Sequence, residues 1–293
     1  MSNLFNFEEK QVFYSKPPLV FQGNKKNALK NVIKLIKEIK QSGQKDYIFI
    51  DAFGGSGLLS NTFKYYFPEN EVIFNDFDDY TSRLEKIPQT NEILSFLKNE
   101  LKNFKTNEKI YGNTKEKILA YLQQKEKEDK ELDYLSISSF VLFSGDYAKN
   151  FKELAKKSWF YKNGEINRNA QGYLEGVKRV KMDFKELLNE YKDNKNAFLI
   201  LDPPYLQTNT QSYKAGYYRL SDFLALIDFI RPPYILFSSL KSDILDFLAW
   251  YDTKNDRLKN RKILSSSLGF PKTIEKAVDY MIYELNAKSF QNL

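Results

Sequence analysis

The fold of this chain is decided by one stretch, Asn196-Ala197-Phe198-Leu199-Ile200-Leu201-Asp202-Pro203-Pro204-Tyr205. Its five consecutive apolar residues, 197–201, predict a strand that is buried on both faces of a parallel sheet. Two prolines end the strand, because they fix the backbone and remove two hydrogen-bond donors. The carboxyl end of a parallel strand faces the crevice where open α/β sheets bind ligands. The stretch therefore predicts a stiff turn that presents Asp202 and Tyr205 at a binding edge.

The groups of this turn suit a flat base that carries an exocyclic amino group. The Asp202 carboxylate and the Pro203 carbonyl can each accept one amino hydrogen, and Tyr205 can stack on the ring. Hydrogen bonds to both hydrogens take the nitrogen lone pair out of conjugation with the ring. The lone pair is then localised on the nitrogen, which becomes a nucleophile. The alternative is an Asp-Pro turn that only ends a strand. The DPPY turn resembles motif IV of the amino-methyltransferases, above all the DNA adenine-N6 methyltransferases, which implies a catalytic role for Asp202, Pro203, Pro204 and Tyr205.

Composition excludes several classes of enzyme. The chain has 293 residues, 42% of them apolar, so one domain with a large insertion is expected. It has no cysteine and no histidine. This excludes thiolate zinc sites, cytosine-C5 methyltransferases, zinc deaminases and histidine triads. Methyl transfer from a sulfonium remains, because its leaving group is already activated and no metal is needed.

Charge and hydropathy indicate the partner and the compartment. The formal net charge is +7 and the pI is about 9.1, which favours a polyanionic partner. Residues 1–6 lack the basic and apolar regions of a signal peptide, and no apolar run approaches the roughly 20 residues of a membrane span. A cytoplasmic protein without a membrane partner is expected, as a monomer or weak dimer.

Further motifs precede DPPY and resemble those of methyltransferases that use S-adenosylmethionine (AdoMet). Phe-Gln-Gly-Asn-Lys-Lys at 21–26 is a loop that enters a helix, either an ordinary solvated loop or a segment similar to motif X of Dam-type enzymes. An apolar strand then runs into Asp-Ala-Phe-Gly-Gly-Ser-Gly at 51–57, which is similar to motif I. A second strand ends at Asp76, placed to bind ribose hydroxyls or to cap the next helix. Asp183-Phe184 is similar to motif III. The resemblance implies a cofactor site made of Phe21, Gly23, Asn24, Lys25, Asp51, Phe53, Gly55, Ser56, Gly57, Asp76, Asp183 and Phe184.

Residues 81–178 differ in character from the rest and form the expected insertion. Helical spacing of apolar residues dominates its first half, and the segment 149–181 carries nine basic against three acidic residues with interleaved aromatics. Basic groups neutralise phosphates and aromatic rings stack on bases. An Asn-Gly pair at 163–164 predicts a hairpin. The predicted DNA-binding residues are Lys156, Lys157, Trp159, Lys162, Asn163, Asn167 and Arg168.

The order of the motifs resembles that of Dam-type D12-class enzymes: motif X, motif I, recognition domain, motif IV. The implied fold is α/β and Rossmann-like, with a mostly parallel sheet, helices on both faces and an inserted helical DNA-recognition domain. The catalytic domain is expected at 1–80 and 179–293, and the insertion at 81–178. The Asn-Gly-Leu-x-Arg segment of relatives that methylate GATC is missing; Leu142 to Ala148 stands in its place. The resemblance therefore does not imply which DNA sequence is the target.

The combined prediction is a site-specific DNA methyltransferase that flips adenine from duplex DNA into the DPPY pocket and methylates its N6 amino group with AdoMet. No metal site is expected. A cognate restriction endonuclease would act separately, and the Tyr-rich segment 206–218 could close over the flipped base. The alternatives are an RNA adenine methyltransferase, a DNA cytosine-N4 methyltransferase, or an inactive nucleic-acid-binding relative.

Overall fold

The computed structural model describes residues 12–129, 131–143, 145–205, 218–239, 244–267 and 278–285. The strands within these ranges are β1 Ile48–Asp51, β2 Val72–Asn75, β3 Lys109–Ile110, β4 Trp159–Phe160, β5 Lys178–Val180, β6 Ala197–Leu201, β7 Tyr234–Ser239, β8 Lys262–Ser267 and β9 Val278–Glu284. The helices are α1 Leu29–Gln41, α2 Leu58–Tyr66, α3 Tyr80–Glu85, α4 Ile87–Glu100, α5 Gly112–Glu128, α6 Tyr134–Val141, α7 Phe151–Lys156, α8 Phe184–Glu190, α9 Leu220–Phe229 and α10 Ile244–Asp252.

The main sheet is mixed and mostly parallel. Within the described residues it has seven strands in the order β5-β2-β1-β6-β7-β9-β8. The pairs from β5 to β7 are parallel, and β9 runs antiparallel to both β7 and β8. The sequence prediction of a mostly parallel α/β fold is confirmed. Because β1, β2 and β6 are neighbours and parallel, their carboxyl ends meet at one edge of the sheet.

Strand β6 lies at the centre of the sheet, and all five of its residues are buried. Successive side chains point to opposite faces of a strand. Leu199 and Leu201 join an apolar cluster with α8, α9 and α10, whereas Phe198 and Ile200 join a second cluster with α1 and α2. The unbroken apolar run therefore fills two cores, one on each face of the sheet, and β6 delivers Asp202 to the edge between them.

A helical unit with its own apolar core lies between β2 and β5. Its core includes buried residues of α4, α5, α6 and α7, together with Ile110 and Trp159 from the small antiparallel pair β3-β4. The unit falls within the predicted insertion, except that β5 already begins at Lys178 and pairs with β2 of the main sheet. The helix α3 joins the two parts.

Two local predictions have a different outcome. The Asn163-Gly164 hairpin is wrong: Asn163 has a left-handed φ of 48°, but β4 ends at Phe160 and no strand follows before β5. Residues 206–217 of the Tyr-rich segment lie outside the described residues. Among the described helices, none is both long and apolar enough to cross a lipid bilayer.

Candidate active site

A cavity opens at the carboxyl edge of β1, β2 and β6. Its walls come from the loop before α1, the glycine turn after β1, the end of β2, the start of α8 and the DPPY turn. The lining residues are Phe21, Gly23, Asn24, Lys25, Ala52, Phe53, Gly54, Gly55, Ser56, Leu58, Leu59, Asn75, Phe77, Asp78, Asp183, Phe184, Asp202, Pro204, Tyr218 and Asp222. Segments as far apart in the sequence as Phe21 and Asp222 thus share one site. Of the predicted residues, Asp51, Gly57, Asp76, Pro203 and Tyr205 do not line the cavity.

The glycine turn brings the backbone close to its neighbours. Gly55 and Gly57 have left-handed φ angles of 52° and 72°, which L side chains rarely adopt. A Cβ added to Gly55 would lie 2.9 Å from a ring carbon of Phe21, and one added to Gly54 would lie 2.2 Å from the ring of Phe74. A side chain at either position would therefore displace one of these two rings.

The loop before α1 places Lys25 against the DPPY turn. The Lys25 side chain is 6% exposed, and its Nζ lies 2.6 Å from Oδ2 of Asp202. The same ammonium donates to the carbonyl of Gly23 at 2.8 Å and lies 5.6 Å from the ring centroids of Tyr205 and Phe237. Lys25, predicted only as a cofactor ligand, thus forms a buried ion pair with the predicted catalytic carboxylate.

Burial governs the electrostatics of Asp202. Its carboxylate loses solvation, which raises its pKa above the ordinary range, while the nearby Lys25 ammonium acts in the opposite direction. Asp279, on β9, is a further buried carboxylate whose pKa is raised by desolvation and whose charge reaches both Lys25 and Asp202. The Lys25 ammonium therefore favours the ionised form of Asp202, whereas burial and the charge of Asp279 oppose that form.

Asp51 lies behind the glycine turn and is completely buried. Its Oδ2 accepts a hydrogen bond from the Ser60 hydroxyl at 2.6 Å, whereas Oδ1 has no hydrogen-bond partner in the part of the chain that the structure describes. Burial raises the pKa of Asp51 to about 7. A buried acceptor without a donor is costly, so this oxygen fits a cation or donor supplied by a ligand.

Three aromatic rings form another wall of the cavity. Phe53 follows β1, Phe184 begins α8 and Tyr218 precedes α9. The ring centroids of Phe53 and Phe184 lie 4.9 Å apart. The centroid of Tyr218 lies 6.2 Å from that of Phe53 and 6.1 Å from that of Phe184. Asp183 caps α8 by accepting from the backbone N–H of Lys185 at 2.8 Å. The rings form a surface on which a flat heterocycle can pack.

The prediction that Asp76 binds ribose is wrong. Asp76 is fully buried, and its two oxygens accept hydrogen bonds from the backbone N–H groups of Tyr80 and Thr81 and from the Thr81 hydroxyl. Arg179 forms an ion pair with the same carboxylate at 2.9 Å. Asp76 therefore caps the start of α3, which was the alternative on sequence grounds. Asp78, two residues further along, lines the cavity instead.

Among the lining residues that sequence analysis missed, two are polar groups that form hydrogen bonds or ion pairs across the site. Asn75 ends β2 and donates to the carbonyls of Ala52 and Met182, both at 3.0 Å, so it ties the glycine turn to the chain before α8. Asp222 in the first turn of α9 pairs with Lys185 at 2.5 Å. An Asn at a strand end is a weak signal in a sequence, and Asp76 and Asp78 have the same parity along the extension of β2, so the sequence pattern does not separate these two acids.

The predicted DNA-binding residues are divided between surface and core. Trp159 is completely buried and its indole N–H donates to the Leu154 carbonyl at 2.9 Å, so its predicted role in stacking on bases is wrong. Three of the predicted residues are exposed: Lys156, Asn163 and Asn167. Lys157 forms an ion pair with Asp146. The Nζ of Lys162 lies 4.0 Å from the centroid of the Phe143 ring.

Arg168 is also a structural residue. Its guanidinium donates to the Pro18 carbonyl at 3.3 Å and to the Ser139 hydroxyl at 3.4 Å, and its backbone exchanges two hydrogen bonds with the Asn91 side chain. Burial lowers its pKa below the usual value of arginine. These bonds tie the helical unit to the N-terminal loop, and the base-reading role of Arg168 stays a prediction.

Comparison with known proteins indicates the family of this chain. A candidate methyltransferase of Haemophilus influenzae is 38% identical over 248 residues, which cover 83% of this chain and 82% of that protein. The crystal structure of a candidate methylase from the same organism overlaps with a TM-score of 0.33 at 10% identity, over 88% of this chain and 98% of that one, which is too slight to bear on the fold. Residues 21–224 match the family described as D12 class N6 adenine-specific DNA methyltransferase. This match spans more than half of the chain, which therefore belongs to the D12 class of N6 adenine-specific DNA methyltransferases.

Proposed function

We propose that the protein transfers a methyl group from AdoMet to the exocyclic N6 amino group of adenine in double-stranded DNA, with the target base flipped out of the helix into the DPPY corner. The supporting observation is the position of Asp202, whose carboxylate lines the same cavity as the glycine turn at 54–56. An amine acceptor and a cofactor cradle that face one space can bring an amine and a methyl donor together.

The residues present fit AdoMet. The close-approaching glycine turn suits the amino-acid end of the cofactor. Asp51 does not line the cavity, but it directly precedes this turn in the chain, and its orphan Oδ1 suits the amino group of that end. The Phe53 and Phe184 rings, with Asp183 beside them, suit its adenine, and Asp78 suits its ribose hydroxyls. When bound there, AdoMet would supply an activated methyl group.

The DPPY turn and Lys25 orient the target amine. Lys25 engages Oδ2 of Asp202, so we assign the other carboxylate oxygen, Oδ1, and the Pro203 carbonyl as the acceptors of the two amino hydrogens. Tyr205 stacks on the base. With both hydrogens engaged, the lone pair localises on the nitrogen, which becomes the nucleophile. Positioning and fixed acceptors account for most of the acceleration.

Asp202 also takes part in the release of the proton. Once the nitrogen has gained a methyl group, it carries a positive charge until one of its hydrogens leaves as a proton. The raised pKa of Asp202 makes its carboxylate a better proton acceptor than an ordinary aspartate. The proton then passes from the base to Asp202 and on to solvent.

The direct test is the identity of the modified base. The protein is incubated with AdoMet and one of three substrates: unmethylated genomic DNA, a matched RNA, or duplexes that contain cytosine but no adenine. The modified positions are then mapped. We expect N6-methyladenine in duplex DNA at one recurring sequence. Modification of RNA alone or of cytosine N4 would establish the corresponding alternative, and AdoMet binding without any transfer would establish an inactive relative. A recurring sequence would also identify the site that a separately acting restriction endonuclease would cut.

Asp51 predicts a pH-dependent affinity for AdoMet. The positively charged amino group favours the ionised carboxylate, so affinity should rise as the pH increases through about 7, the pKa of Asp51, and weaken by up to about tenfold per pH unit below it. In the free protein the same raised pKa favours folding at low pH, and this contribution is lost as the pH rises toward that value. Calorimetric titration at pH 6 to 8 measures the effect. Asp51→Asn should bind AdoMet more weakly and lose this dependence; parallel pH curves for the two proteins would contradict the assignment.

The exchange of roles between Asp76 and Asp78 gives a second prediction. Asp78→Asn should weaken the binding of AdoMet about tenfold, because it alters one hydrogen-bonding group in the cavity. Asp76→Asn should lower the melting temperature instead, because the buried cap loses its charge opposite Arg179. Calorimetry and thermal unfolding of both variants separate the roles. A loss of AdoMet affinity confined to Asp76→Asn would restore the sequence-based assignment.

A further inference from the structure

The small sheet of the helical unit has two different faces. Backbone hydrogen bonds from Asn107 to Tyr161 at 2.7 Å and from Tyr161 to Glu108 at 2.9 Å extend the pairing of β3 with β4 by about one residue pair. Side chains alternate along this ribbon. One face carries Ile110, Trp159 and Tyr161, which are 1%, 0% and 6% exposed, and packs onto the helices. The other face is turned away from that core.

The outer ribbon face consists of aromatic and basic side chains. It carries Lys109, Tyr111, Phe160 and Lys162 from the ribbon, together with Phe143 from the chain after α6. Tyr111 is 72% exposed and Phe143 is 46% exposed, both among the most exposed large apolar groups of the described chain. Exposed apolar groups that are rimmed by charged side chains are typical of interaction surfaces.

Phe143 is held in place although it is exposed. Its ring centroid lies 4.7 Å from that of Phe160, and the Lys162 ammonium lies 4.0 Å above it. Lys162 is in turn fixed by its bond to the Asn107 side chain at 2.6 Å, and its backbone N–H donates to the Phe140 carbonyl at 3.1 Å. A ring that is already ordered loses little entropy when it packs against a partner.

We infer that the outer ribbon face docks on double-stranded DNA, with Phe143 and Tyr111 against the bases and Lys109 and Lys162 against the phosphates. The inference rests on the proposed function and specifies the surface that holds its substrate. A two-stranded ribbon matches the width of the DNA major groove, and lysines beside exposed rings complement a polyanion built from stacked bases. Trp159, the aromatic residue that composition favoured, supports this face from beneath.

The inference is tested by the affinity of the protein for a fluorescent duplex that contains adenine. Fluorescence anisotropy measures this affinity at several salt concentrations. Phe143→Ala should weaken binding about 5- to 100-fold, since one ring contact with a base is lost. The double variant Lys109→Gln/Lys162→Gln should weaken binding and lower the slope of log affinity against log salt by about 2, because two phosphate contacts are lost. AdoMet affinity and melting temperature should remain those of the unchanged protein.

Matched controls remove the same chemistry elsewhere. Trp250→Ala removes a ring that is 57% exposed on α10, and Lys98→Gln/Lys127→Gln removes two exposed lysines of α4 and α5. Both should leave affinity and salt slope unchanged. If the outer-face variants match these controls while the unchanged protein methylates duplex DNA, the inference fails and the proposed function stands. If the unchanged protein methylates no DNA, the proposed function fails, and the inference that rests on it fails with it. Preference of the outer ribbon face for single-stranded RNA would also overturn the inference.

Discussion

Asp202→Ala is expected to lose methyl transfer by about 10²- to 10³-fold while retaining its affinity for AdoMet. The carboxylate is the acceptor that the DPPY turn presents to an amine, and it lines the same cavity as the glycine turn. Its removal takes away an interaction that strengthens as the nitrogen gains charge, so the loss should appear in kcat rather than in cofactor binding.

The measurement is single-turnover methyl transfer to a duplex, paired with calorimetric AdoMet titration. Asp202→Asn keeps the volume and one acceptor but loses the charge, so its activity should lie between those of the alanine variant and the unchanged protein. Asp228→Ala, an exposed aspartate of α9, is the matched control and should have full activity. Residual activity above about a tenth in Asp202→Ala would refute the catalytic role.

Lys25→Met should have the second large effect, on stability and on pH dependence together. The Lys25 and Asp202 side chains are 6% and 19% exposed, and their charged atoms lie 2.6 Å apart. Removal of one partner of a buried pair leaves the other charge uncompensated, which costs about 3–5 kcal/mol. Because Lys25 holds down the already raised pKa of Asp202, its loss should raise that pKa further. The acid side of the pH–rate profile should then move to higher pH.

Urea unfolding and pH–rate profiles measure these two effects. The double variant Lys25→Met/Asp202→Asn should recover much of the stability, because no unpaired charge remains in the site. Lys26→Met, at the exposed neighbouring position, should change neither property. Equal stability of the single and double variants, or an unshifted profile, would mean that Lys25 serves the cofactor alone.

Local patterns in the chain were sufficient for the framework. The apolar run at 197–201 predicted a strand buried on both faces, and β6 has that character because its alternate side chains enter separate cores. A prolyl turn after such a strand has to lie at the edge of the sheet, so Asp202 could be placed there in advance. The glycine turn was equally predictable, because its left-handed φ angles at Gly55 and Gly57 require glycine.

Partners across the fold were not predictable from the same patterns. Asp76 and Asp78 are both acids after a strand, and only the packing of α3 and Arg179 commits Asp76 to a cap. Trp159 and Arg168 stand in a basic, aromatic segment that indicates a binding surface. Trp159 nevertheless fills the core of the helical unit, and Arg168 fastens that unit to the loop at Pro18.

By itself, then, the sequence determined the alternation of strands and helices, the edge at which the site lies, and the acceptor and glycine turns that identify the family. These features follow from periodicity and backbone constraint, which act between near neighbours in the chain. The tertiary structure alone decided that Lys25 pairs with Asp202 and that the outer ribbon face, not Trp159, carries the exposed rings. Such outcomes depend on which distant side chains compete for the same buried space and the same charge, and spacing along the chain contains no measure of that competition.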